Sequence, residues 1–207
     1  QAGPAVGGGL RMKRRTRRSP ALAAPLALLA AGLLHATEPS PDWVESARTA
    51  AAGLGGTLQQ ELQAAIAEGG PVQGIETCRI RAPEIADEQS NPDLRVGRTA
   101  LRVRNPDNAP DDWERAVLAD FQQRLADGAD PGSLETWIKT EVEGRPTGRW
   151  MKAIPTQPLC LTCHGDTLEP DLAEAVRDAY PEDRATGFAV GELRGAFTVD
   201  VMLDADD

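Results

Sequence analysis

The chain has 207 residues, 41 % of them apolar and only 4 % aromatic, with a formal charge of −10. That length suits one domain with a continuous core rather than two. The acidity is uneven: residues 1–36 hold six basic residues (Arg11, Lys13, Arg14, Arg15, Arg17, Arg18) and no acid, which leaves 16 basic against 32 acidic residues beyond Ala36. A surface that acidic repels phosphate backbones, so nucleic acid is not an expected partner.

The basic cluster precedes an apolar stretch from Ala21 to Leu34 and a small-residue exit at Leu34-His35-Ala36-Thr37. This order is that of a secretory signal peptide. Fourteen apolar residues fall short of the about 20 that span a bilayer, so membrane attachment is expected only if the signal stays uncleaved. Residues 1–11 resemble neither signal nor domain, and Met12 is the expected start. The mature domain is then 37–207, periplasmic and free of the membrane.

From there the elements follow in chain order. Trp43, Val44, Ala47, Leu54, Leu58, Leu62 and Ile66 recur at three and four, which predicts a helix over 43–68 that Gly69-Gly70-Pro71 ends. A second helix is expected over 72–86, limited by Pro83. Residues 94–103 have strand character and run into the turn-rich segment 104–110. Asp111 or Asp112 can cap a helix carrying Trp113, Val117, Leu118, Phe121 and Leu125. Strands over 136–142 and 149–154 form a hairpin through residues 143–148, a helix is expected near 172–179, and a last strand over 195–202. Strands and helices mix without a βαβ rhythm, which predicts an α+β fold with an antiparallel sheet.

Between hairpin and last helix lies Cys160-Leu161-Thr162-Cys163-His164. Two cysteines three apart share a face of a helical turn, with an imidazole beside them. The spacing suits two thioether bonds to haem vinyl groups with His164 as the proximal iron ligand, and the export signal agrees, because c-type haem is attached outside the cytoplasm. A zinc site of Cys78, Cys160, Cys163 and His164 is disfavoured, since adjacent Cys163 and His164 strain to reach one tetrahedral ion. A thiol–disulfide redox pair lacks its βαβ setting, and a plain disulfide leaves His164 unexplained. The other histidine, His35, belongs to the signal, so the mature chain cannot supply a bis-histidine haem. For the opposite axial place the residues leave Cys78, Met151, Met202, a lysine or an open position. A thiolate lowers the iron potential and a methionine raises it.

Four segments in order extend the pattern: Cys78-Arg79-Ile80-Arg81-Ala82-Pro83-Glu84-Ile85-Ala86; residues 96–108 from Val96-Gly97-Arg98 to Arg104-Asn105-Pro106-Asp107-Asn108; Cys160 to Gly165; and residues 180–188 leading into Gly191-Glu192-Leu193-Arg194-Gly195-Ala196-Phe197. Together they resemble the single-haem c-type cytochrome domain family with a PAS-like fold, first catalogued as a domain of unknown function and often the input region of bacterial sensors. The resemblance covers about residues 43–203. It implies a PAS-like antiparallel sheet flanked by helices, with one covalently bound haem, and it places Cys78 as distal axial ligand. Arg98, Arg104 and Asn105 match an arginine-rich strand and turn; arginine there can pair with haem propionates or hold backbone carbonyls. Asn105 and Asn108 are read as structural, with Arg98 open as a propionate partner. Ala100 departs from the more frequent serine.

The expected function is a haem-based redox or small-ligand sensor, with a redox or signalling protein as partner. A soluble electron carrier is the alternative, its acidic surface steering it to a basic partner. An enzyme such as a peroxidase ranks last, because no second histidine serves as distal acid–base group.

Overall fold

The computed structural model describes residues 40–204. The signal-peptide reading of residues 1–36 lies outside them. Helix α1 (Asp42–Glu88) folds back at Gly70, whose φ of 74° is left-handed and suits glycine. The Gly-Gly-Pro stop is therefore a hinge between two helical arms. They lie side by side: Arg81 on the second arm bonds Glu61 on the first at 2.9 Å, and a Cβ at Gly74 would lie 3.0 Å from Leu62. Pro83 does not end the second arm, which continues to Glu88. It is exposed, so the carbonyl its missing N–H leaves free can be met by water.

The sheet consists of β1 (Leu94–Thr99), β2 (Glu135–Val142), β3 (Arg145–Pro155) and β4 (Leu193–Met202), antiparallel throughout in the order β1-β4-β3-β2. This is the α+β, PAS-like arrangement expected. Two strand bounds differ from expectation by four residues each, the others by two at most. β1 stops at Thr99, four residues early, and residues 100–105 leave the sheet. β3 starts at Arg145, so the hairpin turn is only Glu143-Gly144, both at positive φ (52° and 77°). That left-handed pair matches the twist of the flanking strands.

Side-chain alternation splits the core in two. On one face Val96, Trp150 and Val199 pack under both arms of α1 through Val44, Ala47, Leu54 and Ile85. On the other, Met151, Ala153 and Ala196 meet Leu118 and Phe121 of α2 (Asp112–Ala126) and Leu134. Asp111 caps α2: its carboxylate accepts from Glu114 N at 2.8 Å while Glu114 accepts from Asp111 N at 3.1 Å. A short turn of helix, α3 (Leu161–His164), and α4 (Pro170–Ala179) follow β3.

Trp43 lies so close over Gly148 that a Cβ there would come within 2.7 Å of its indole ring. Gly148→Ala is therefore expected to displace Trp43 and cost about 1–3 kcal/mol, by the rule for overpacked cores. Urea unfolding checks this; an unchanged midpoint would show that Trp43 moves freely.

Candidate functional site

The site is built where the second arm of α1, α3, α4 and the ends of β1 and β4 converge. A third apolar cluster is its floor: Ile75 from α1 packs on Leu172 and Val176 of α4 and on Tyr180, with Cys163, Leu168 and Ala179 against them. Cys78 lies three residues beyond Ile75, one turn along α1.

The Cys160–His164 segment begins as a 3₁₀ turn (Pro158–Cys160) and continues into α3. Segment 183–188 fastens it. Phe188 N donates to the His164 carbonyl at 2.9 Å, and Gly187 N to the Gly165 carbonyl at 3.0 Å. His164 Nδ1 lies 2.6 Å from the Ala185 carbonyl. A carbonyl only accepts, so Nδ1 carries the hydrogen and the Nε2 lone pair is left for a ligand bond. The Phe188 ring meets the His164 ring edge-on, with centroids 6.2 Å apart.

Arg104 completes the clamp. It donates to both carboxylate oxygens of Asp183 (3.2 and 3.1 Å), to the Cys163 carbonyl at 2.7 Å and to the Ala185 carbonyl at 3.4 Å. Of the two roles open to arginine in this strand and turn, Arg104 takes the carbonyl-holding one. Asn105 and Asn108 are structural as expected: the Asn105 side chain accepts from Asp107 N, and the Asn108 carbonyl accepts from Thr99 Oγ1 at 3.1 Å.

Electrostatics tie the remaining residues together. Burial pushes the Cys78 thiol up, opposed by Arg98, then Arg104 and Arg194. Burial also drives the His164 imidazole down to about 3, helped by Arg194, Arg104 and Arg98. His164 is thus neutral at pH 7, the form that binds iron. Burial pushes Cys163 up as well, with Cys78 and Cys160 adding to it. Tyr180 rises to about 12 for the same first cause, Cys78 adding. Cys78, Cys163, His164, Arg98 and Arg194 are all desolvated by surrounding protein yet still partly accessible.

The structure thus brings together Cys78, Arg98, Cys160, Cys163 and His164, from three separate stretches of sequence. It does not bring the two methionines. Met151 is wholly buried beneath α2, and Met202, at the end of β4, takes a weak bond from Thr147 Oγ1. Both are removed as axial candidates, by sheet alternation for the first and register for the second. Cys78, Cys160 and Cys163 are free thiols. Among the described residues no three His, Cys, Asp or Glu side chains gather as a metal-ion site. Sequence reasoning gave no role to Asp183, Ala185, Phe188 or Arg194. For all four the signal was already present, as residues of the last matched segment in the resemblance.

A four-stranded antiparallel sheet with a helical hairpin on one face, and a clamped Cys-x-x-Cys-His turn at its edge, defines a PAS-like α+β domain. The family model of the Tll0287-like proteins (Tll0287) matches residues 36–201, and the chain belongs to that family. Among solved structures, the crystal structure of the cyanobacterial heme-protein Tll0287 is similar to it. The TM-score is 0.57 and the identity 24 %, over 80 % of this chain and 98 % of that one. No curated protein matches.

Proposed function

We propose that this chain is a periplasmic mono-haem c-type cytochrome acting as a redox or small-ligand sensor. Cys160 and Cys163 hold the haem covalently, His164 is its proximal ligand and Cys78 its distal one. The observation that carries this is the bond from His164 Nδ1 to Ala185, which fixes the tautomer and leaves Nε2 for iron. The family's heme-protein member Tll0287 supports the same cofactor. The family match begins at residue 36, where the basic and apolar leader ends, which supports residues 1–36 as an export signal. Among the described residues no helix is long and apolar enough to cross a membrane.

When bound, haem supplies a one-electron iron couple and two axial positions. The chain's own part is division of labour. His164 is held by backbone on three sides, because Cys163, His164 and Gly165 each give a carbonyl to Arg104 or to segment 183–188. Cys78 rides on a helical arm joined to its neighbour by the Gly70 hinge. The two ligands stand on separate elements, one on the clamped turn and one on the arm beyond Gly70, so Cys78 can be released without undoing the clamp on His164, which favours a sensor that releases Cys78 over a carrier with fixed ligation. Arg98, on β1, is the propionate partner on this reading. A redox or signalling protein would receive the output.

A redox titration followed by optical and electron paramagnetic resonance spectra tests the role. The expected result is a change of axial ligation between ferric and ferrous protein. Fast, reversible electron exchange with ligation unchanged would favour the carrier, to which the acidic surface is also suited.

A further inference from the structure

Four arginines, Arg98, Arg102, Arg104 and Arg194, lie on the segments around Cys78 and His164, and two lack an acidic partner. Arg104 is paired with Asp183 and Arg102 with Glu192. Arg98 has no hydrogen bond or ion pair among the described residues. Arg194 has only a 3.4 Å bond to the Arg102 carbonyl and the Phe188 ring, 5.2 Å from its guanidinium carbon. Burial and the repulsion of Arg104 and Arg98 pull Arg194 down to about 10, and burial lowers Arg98. Holding unpaired cations near one another and away from water costs stability unless an anion joins them.

The placement of Arg194 is itself a device of the sheet. Ile154 pairs with Gly195 but Pro155 with Leu193, so Arg194 is the extra residue of a β-bulge. Bulges turn a side chain out of the ladder's alternation. The two arginines also divide the site. Arg98 shares the face of β1 through which Val96 packs under α1, the helix that bears Cys78, and Arg194 lies over the Phe188 ring, which meets the ring of His164. With Arg104 neutralised by Asp183, these segments keep two positive charges.

We propose that Arg98 and Arg194 form a two-point anion clamp, one arginine on the Cys78 side and one on the His164 side, that takes both haem propionates. This rests on the haem reading above and extends it by adding Arg194 and the charge match. The clamp keeps both propionates ionised and raises the iron potential, since each cation disfavours ferric iron.

The test uses the exported, haem-bearing protein, with haem content measured first and the reduction potential followed against pH. In a Cys78→Ala background, where no released thiolate takes up a proton, the potential is expected to stay level between about pH 5 and pH 8, because clamped carboxylates titrate below that range. Arg194→Gln and Arg98→Gln should each lower the potential and make it climb as pH falls, and Arg194→Lys should recover much of the loss. If the glutamine variants fail to fold, the Cys78→Ala pH profile and Arg194→Lys still decide: a sloping profile in Cys78→Ala overturns the clamp. So do haem-bearing glutamine variants with wild-type potential and profile, which leave the haem reading standing. A chain with no haem overturns both.

Discussion

Arg104→Ala should cost about 3–5 kcal/mol, the penalty for breaking a buried charge pair by removing one partner. Arg104 and Asp183 are only 8 % and 10 % exposed as side chains, so little water can replace the lost guanidinium. The substitution also abandons the carbonyls of Cys163 and Ala185. Ala185 is the residue whose carbonyl fixes His164, so the loss travels from stability to ligand placement. Arg104→Lys keeps the charge but not the fork that reaches Asp183 and two carbonyls together, and it should recover only part. Guanidinium unfolding of the three proteins measures this. A change under about 1 kcal/mol, the scale of a surface pair, would show that segment 183–188 is held by something else.

The second large effect concerns Cys78. Cys78→Ala removes the only side chain that the second arm of α1 offers as a strong iron ligand. The ferric protein is expected to lose its six-coordinate low-spin spectrum, and its potential should rise because an anionic ligand is gone. The fold should survive, since the thiol is only partly buried and the arm is anchored by Ile75, Ala82 and Ile85. An alanine variant with the wild-type ferric spectrum would remove Cys78 from the iron.

Much of this was legible from residue order. The apolar repeat of α1, its break at Gly69-Gly70-Pro71 and the alternation of β3 and β4 are local signals, and local signals were enough to place them. The Cys160–His164 motif and Cys78 stood out as chemistry, because few residue types bind iron and only one histidine lies beyond residue 36, and the structure brings them to one place. What escaped was set by tertiary context. The hairpin turn is Glu143-Gly144, without the Asn-Gly or Asp-Gly that announces two left-handed residues, so β3 was expected to begin later. Pro83 was expected to limit a helix that in fact keeps it on the solvent side. Met151 looked available until register turned it toward α2. Arg194 could not be singled out, because its role depends on a bulge that exists only once β3 and β4 are paired.

The claim at the centre is that Cys160 and Cys163 carry one haem through thioether bonds. Mass spectrometry of the denatured protein, exported by cells that attach c-type haem, tests it most directly. The account predicts a mass raised by one haem, located by digestion to the peptide holding Cys160–His164 and absent from a Cys160→Ala, Cys163→Ala variant. A wild-type chain at its unmodified mass, with haem that washes away on denaturation or none at all, would contradict it.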